Sequence, residues 1–415
     1  MKITVIGGGS TYTPELVDGL ARLGFPAQEV ALVDPDADRL AVIAPLARRI
    51  LARQGHPARV TATADPDAGV DGADAVLVQL RVGGQDARHI DETLPHECGC
   101  IGQETTGAGG LAKALRTVPV VLELAERVAK RAPDAWIVDF ANPVGIVTRA
   151  LLDAGHRAVG LCNVAIGFQR TFADWLGVDH RRITLDHVGL NHLTWERAVY
   201  LDGVDVLPRL LAEHGQALAE RLHLPLETVR RLGVVPSYYL RYYYAHNEVF
   251  AEQLGAPTRA EQVAAMERDL LGLYADQALD EKPALLEQRG GAYYSEAAVQ
   301  LVHALTADTG EVRVANVRNN GTLPFLSDDA VIEVPARIGA HGADPLPVAP
   351  VEPLFAGLIA HVSAYEELAL DAALHGGVDR VAKALLAHPL IGQIDPAEQL
   401  AHRIVAANRS HLRWA

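Results

Sequence analysis

The chain has 415 residues, 49% of them hydrophobic, and a formal net charge of −15. That length supports two domains or one large one, and that apolar fraction excludes global disorder. The negative balance argues against nucleic acid or an anionic membrane as partner, but an anionic small molecule needs only a local cluster of arginines.

The first predicted strand, Lys2–Ile6, is a short apolar, β-branched run that ends on Gly7-Gly8-Gly9-Ser10, and a helix is predicted from Tyr12 to Leu23. Strand, glycine turn and helix together let backbone N–H groups and a helix N-terminus face a pyrophosphate. The second strand, Val30–Val33, carries Asp34 at its C-terminal end. A carboxylate there accepts hydrogen bonds from both ribose hydroxyls of NAD and repels the extra phosphate of NADP. Tyr12 stands where the third glycine of G-x-G-x-x-G belongs.

Strands Arg59–Thr63, Ala75–Gln79, Ala135–Asp139 and Ala158–Leu161 follow, alternating with helices Arg39–Gln54, Leu111–Arg131 and Val144–Ala154. Alternation with near-continuous apolar strands predicts a parallel sheet covered on both faces, with its ligand beyond the C-terminal strand ends. Arg81-Val82-Gly83-Gly84, Asn142-Pro143 and Cys162-Asn163 each follow such an end.

After about residue 170 the character changes. Arg182–Val188 and Leu193–Tyr200 read as long strands flanking Gly189-Leu190-Asn191; helices are predicted over Val263–Asp276 and Ser295–Ala307, and strands over Arg313–Val317 and Ala330–Val334. Arg337–Pro350, rich in Ala, Gly and Pro, reads as an exposed loop, and the tail is helical over Pro353–Leu385 and Pro396–Ala407. The expected fold is α/β: a Rossmann-like doubly wound parallel sheet over residues 1–170, then a mixed α+β substrate, catalytic and oligomerisation domain over 171–415. No apolar run approaches ~20 residues, so no transmembrane helix is expected, and no secretory leader precedes the first strand. Three cysteines, Cys98, Cys100 and Cys162, make no disulfide framework and suit a reduced, cytoplasmic protein.

Cys162 and His192 are the sharpest chemical pair. A thiolate and an imidazole suit Mn²⁺, Fe²⁺, Co²⁺, Ni²⁺ or Zn²⁺, and two protein ligands leave positions open for substrate oxygens. His187 is a rival ligand that strand alternation would place on the face opposite His192. Cys98 and Cys100 lack a partner pair for structural zinc and read as loop residues. The polar, glycine-rich run Gly102–Gly110 is a helix-entry loop that could wrap the nicotinamide or a sugar. Five of the 11 tyrosines crowd into residues 238–244; a tyrosine serves as general base if cations lower its pKa, but most of such a cluster must pack. Arg81, Arg88 and Arg289 stand beside glycines or loop residues, and Arg289-Gly290-Gly291 has the look of an anion clamp.

Taken together these residues resemble the NAD-dependent family-4 glycoside hydrolases, and within them the 6-phospho-β-glucosidases. The resemblance runs through Ile3–Tyr12, Arg81–Gly84, Ile101–Gly107, Ala141-Asn142-Pro143, Leu161-Cys162-Asn163-Val164, Gly189–Leu193 and Tyr239–Tyr243, in that order. It implies hydrolysis of 6-phospho-β-glucosides through transient oxidation at C3 by NAD, removal of the C2 proton, elimination of the C1 aglycone and addition of water. It implies Tyr239 as the base and Cys162 and His192 as ligands of a divalent metal, Mn²⁺ foremost. It implies Gly7, Gly9, Ser10, Thr11, Asp34 and Arg39 around NAD. For the substrate it implies Glu104, Asn142, Asn163 and Asn191 near the sugar, Arg88 and Arg289 for the 6-phosphate, and Arg259 near the base. Asn163 stands where α-specific relatives often carry aspartate or histidine, which favours a β-glycoside. Ala165, Tyr238, Cys98 and Cys100 depart from the family pattern without removing a proposed catalytic group. A homodimer or homotetramer is expected. The alternatives are a family member acting on another glycoside, a plain NAD-dependent sugar dehydrogenase, or a non-catalytic sensor.

Overall fold

The computed structural model describes residues 1–291 and 293–415. Six parallel strands form the first part of the sheet: β1 (Lys2–Ile6), β2 (Glu29–Val33), β3 (Arg59–Thr63), β4 (Ala75–Val78), β5 (Trp136–Asp139) and β6 (Ala158–Gly160). β4 and β5 are buried along their whole length, which is why they read as unbroken apolar runs and not as alternating ones. The helices between them are α1 (Thr13–Arg22), α2 (Ala37–Arg53), α3 (Pro66–Val70), α4 (Gly84–Thr93), α5 (Gly107–Arg131) and α6 (Val144–Asp153), with α7 (Val164–Leu176) after β6. The Asp36 side chain accepts from the Arg39 N–H and caps α2. α3 and α4 are additions to the predicted set; they are too short or too polar to show an apolar period.

The later strands are β7 (Ile183–Leu190), β8 (Leu193–Leu201), β9 (Val204–Asp205), β10 (Val235–Pro236), β11 (Glu311–Arg318), β12 (Val331–Gly339) and β13 (Gly342–Pro345). β7 and β8 form an antiparallel hairpin in a second, four-stranded sheet with β9 and β10. β11, β12 and β13 return to the first sheet, giving nine strands in the order β13-β12-β11-β6-β5-β4-β1-β2-β3. β11 runs antiparallel to β6, with Asn316 opposite Gly160. One apolar core accordingly runs from Ile3 to Leu412, while a second gathers Phe168, Phe172 and Val199 around the helix Leu207–Leu222.

Two tail expectations are corrected. Arg337–Pro350 is not one exposed loop: β12 continues to Gly339 and turns into β13 as an edge hairpin, with Pro345 at its end. Small residues suit that edge because backbone pairing, not side-chain packing, holds it. The stretch Pro353–Leu385 is two helices, Pro353–His375 and Val378–Ala387, parted by Gly376 and Gly377 at φ 65° and 96°. Among the described residues no helix is long and apolar enough to cross a membrane.

Candidate active site

A cleft of about 1600 Å³, counting the open space at its mouth, lies beyond the C-terminal ends of β1, β2, β4 and β5. Gly7, Gly9, Ser10, Asp34 and Arg39 line it, as do Glu104, Asn142, Tyr239 and Arg289, while Cys162 and His192 line two smaller neighbouring pockets. Gly7 has φ 82°, and a Cβ on Gly9 would lie 2.7 Å from the Asp34 Cγ. The Gly9 N–H donates to Asp34 Oδ2 at 2.9 Å and the Asp36 N–H to Oδ1 at 3.0 Å, so the carboxylate is held at the end of β2. Arg39 Nε donates to the Gly9 carbonyl at 2.7 Å. Bare backbone beside a fixed acceptor suits a dinucleotide's phosphates and ribose. Tyr12, in the place of the third glycine, donates its hydroxyl to the Gly291 carbonyl and so ties the loop to the later chain. Thr11 does not face the cleft: it is fully buried, its hydroxyl directed to Glu267 at 3.4 Å.

His192 owes its position to a turn. Leu190 pairs with Leu193, leaving Asn191 and His192 as the two residues that reverse the chain, with His192 at φ 63°. Strand alternation therefore does not orient it. Its Nδ1 lies 2.9 Å from the Thr105 hydroxyl, and Gln103 Oε1 in turn accepts from the Thr105 hydroxyl at 2.8 Å and the Thr106 N–H at 2.8 Å. Gly109 and Gly110 let this loop lie against α5, since a Cβ on Gly109 would meet the Gln103 carbonyl at 2.3 Å. Burial pushes the His192 imidazole down to about 4, so it is neutral, and with Nδ1 engaged Nε2 is the nitrogen left to ligate.

The Tyr239 ring stacks on this imidazole with centroids 3.6 Å apart. Cys162, two residues beyond β6, bears on the Tyr239 and Tyr294 hydroxyls. Burial and then Glu333 push its thiol up, and hydrogen bonds from the Val164 N–H, the Asn191 side chain and the Asn163 N–H oppose that. A bound cation would offset the cost of the thiolate. Among the described residues no group of three or more His, Cys, Asp or Glu side chains is arranged to hold a metal. A thiolate and a neutral imidazole are donor types that a divalent ion takes, and two such ligands would leave most positions open to substrate or water.

Cations crowd the inner cleft. Glu104 pairs with Arg81, with Arg88 Nη2 at 3.1 Å and with Lys113 Nζ at 2.6 Å. Burial alone would raise the Glu104 carboxyl, but Arg81, Lys113 and Arg88 overcome it and hold it well below its ordinary range. Burial and the neighbouring Arg81 bring the Lys113 ammonium down to about 7. Arg289 Nη2 reaches Glu267 Oε1 at 2.8 Å, and Arg259 Nη2 donates to the Gln288 and Arg289 carbonyls at 3.2 and 3.0 Å.

The cation bearing on the Tyr239 hydroxyl is Arg88, whereas Arg259 faces Tyr238, Arg88 and Arg289. Arg259, two positions C-terminal to Pro257, opens the helix Arg259–Tyr274 and lines the same cleft as Tyr239. Asn142 lines the cleft, and its buried Oδ1 has no partner among the described residues. Asn163 caps α7, and Asn191 Nδ2 donates to Glu333. Cys98 and Cys100 stay with their own short helix and with Gln399. Sequence reasoning missed Lys113, Glu267 and Tyr294, all of which line the cleft. A lysine inside the apolar face of a predicted helix was the one available signal.

Known proteins resemble this chain over its full length. The profile "Family 4 glycosyl hydrolase" matches residues 2–178, and "Family 4 glycosyl hydrolase C-terminal domain" matches residues 187–391. A probable 6-phospho-beta-glucosidase of Bacillus subtilis is 37% identical, covering 99% of this chain and 97% of its own. A 6-phospho-beta-glucosidase of Escherichia coli is 35% identical, covering 100% and 96%. The 6-phospho-beta-glucosidase of Thermotoga maritima, solved with manganese, NAD⁺ and glucose-6-phosphate, superposes with a TM-score of 0.93 at 33% identity, covering 99% of each chain.

Proposed function

The chain belongs to glycosyl hydrolase family 4, and from that membership we infer that it hydrolyses 6-phospho-β-glucosides to glucose 6-phosphate and free aglycone, using NAD and a divalent metal, Mn²⁺. One observation of the structure carries the reading furthest. Tyr239 lines the same cleft as the glycine loop and Asp34, and its ring lies on His192 behind it. Redox cofactor and base are thereby offered places in one cleft, with a proposed metal ligand stacked against the base.

When bound, NAD reversibly accepts a hydride from C3 and the metal polarises the neighbouring sugar oxygens, which makes the C2–H acidic. The residues of the chain do the rest. Gly7, Gly9, Ser10, Asp34 and Arg39 hold the dinucleotide. Cys162 and His192 hold the metal. The Tyr239 oxygen, as phenolate, takes the C2 proton and becomes the hydroxyl. Burial holds that phenol well above its ordinary range, and Arg88 is the charge that works against this. Asn142, Asn163 and Asn191 offer amides to the sugar hydroxyls. Glu104 anchors Arg81, Arg88 and Lys113 around the ring, and Arg289 with Arg88 and Arg259 gives the 6-phosphate its positive pocket.

Free cysteines and a phosphorylated sugar substrate suit a reducing, cytoplasmic setting, and a homo-oligomer is the assembly we expect. The test is hydrolysis of an aryl β-glucoside 6-phosphate in D₂O with NAD⁺, Mn²⁺ and a thiol reductant. The released sugar carries deuterium at C2, and no NADH accumulates. Protium alone at C2, or NADH rising in step with product, overturns the reading.

A further inference from the structure

Behind the Asn191–His192 turn lies a charged cluster to which the chemistry above gives no part. Glu333 on β12 is 1% exposed. It accepts from His187 Nε2 at 3.1 Å, from Asn191 Nδ2 at 2.9 Å and from Asn316 Nδ2 at 3.0 Å. The other nitrogen of His187 lies 2.7 Å from Glu196 on β8, and both of these side chains are fully buried. Burial would lower the His187 imidazole, but Glu196 and Glu333 overcome this and raise it to about 10. Burial would likewise raise Glu333, and the hydrogen bonds from His187, Asn191 and Asn316 hold it down.

The imidazolium lies between two unlike carboxyls: burial raises Glu196, whereas Glu333 is held down and keeps its negative charge where no water reaches. Apolar residues of the same shape would cost the fold less. The placement of Asn191 gives the charge a use. Its Nδ2 is bound to Glu333, and its side chain also lowers the Cys162 thiol, as a donor to sulfur does. A short chain thus runs from Glu333 through Asn191 to Cys162, and the Glu333 charge is felt at both Cys162 and His192. Partners behind metal ligands commonly act in this way, fixing orientation and adding affinity.

We propose that Glu333, paired to His187, is a positioning residue of the metal site: it orients Asn191 and Cys162, and its negative charge strengthens binding of the divalent cation. This rests on the reading of Cys162 and His192 as the ligands. The test is Mn²⁺ titration of the NAD-bound protein without substrate, followed by the spin resonance of free Mn²⁺. Glu333→Gln keeps the shape and an acceptor oxygen and removes the charge; it weakens Mn²⁺ binding about 10–100-fold while NAD affinity stays within about twofold. His187→Gln removes the cation that does most to keep the buried Glu333 ionised, so it too weakens Mn²⁺ binding while NAD affinity stays within about twofold. Cys162→Ser separates the two claims. If it abolishes Mn²⁺ binding while Glu333→Gln leaves binding intact, the role of Glu333 is overturned and the ligand assignment stands. If Cys162→Ser also binds normally, the ligand assignment falls and the role of Glu333 with it. Should Glu333→Gln not fold, unchanged Mn²⁺ binding in folded His187→Gln overturns the role by itself.

Discussion

The Tyr239 ring lies flat on the His192 imidazole, with planes 7° apart and centroids 3.6 Å apart. The proposed base and a proposed metal ligand are thus held by one contact, and either can be perturbed alone. Removing only the hydroxyl, in Tyr239→Phe, keeps the stack. We expect kcat to fall about 10²–10⁴-fold, the range for loss of a general base, with Mn²⁺ and NAD affinities unchanged. Solvent deuterium should enter C2 correspondingly slowly, as read by NMR of the product. Exchange at the normal rate assigns the proton to another group.

Asp34 accepts from two backbone N–H groups at the end of β2 and keeps its carboxylate beside Gly9. Asp34→Ala should weaken NAD binding by roughly 10-fold or more, as expected for one lost charge-assisted hydrogen bond, and narrow the preference over NADP. Calorimetric titration with each nucleotide checks this. An unchanged ratio of the two affinities places the ribose elsewhere.

The Nε of Arg289 is buried without a partner among the described residues, although its Nη2 meets Glu267. A donor left over in the cleft suits an anionic substrate group. Arg289→Ala should raise KM for a β-glucoside 6-phosphate about 10–100-fold, and leave KM for the unphosphorylated glucoside nearly unchanged. Equal effects on both substrates, measured in parallel, remove the phosphate role.

The buried His187 makes stability depend on pH. Its folded value of about 10 lies above the ordinary 6.5, so the folded state binds the proton more tightly. The contribution is fully present below about pH 6.5 and is lost as pH rises toward 10; its upper limit is on the order of 5 kcal/mol. Urea melts between pH 6 and 10 should show the unaltered protein losing stability across that window relative to His187→Gln. Parallel curves for the two proteins would mean that His187 is neutral in the fold.

Much of the first half of the molecule is written locally. β1, the glycine loop, β2 and Asp34 follow from adjacent residues, because a β-branched run, a bare turn and a strand-end carboxylate each need only near neighbours to be read. The helix predicted from Leu111 begins earlier, at Gly107, since three of the residues added are glycines. Glycines carry no helical signal of their own, and here they serve close packing against Gln103 and Thr105. The site was legible as a set of residue types and as a family resemblance. Its neighbour relations were not: Arg88 and Lys113 meet at Glu104, and Thr11 is buried.

By itself, then, the sequence determined the alternating strands and helices, the nucleotide loop and the candidates Cys162, His192 and Tyr239. Each depends on short-range periodicity or on a short motif. Only the tertiary structure decided that β11, β12 and β13 return to the first sheet, that Lys113 meets Glu104, and that Glu333 on β12 reaches the Asn191–His192 turn. The residues in that last contact lie 142 positions apart in the chain. No local pattern encodes such a contact, because it is selected by the free energy of burying charges together where water cannot follow.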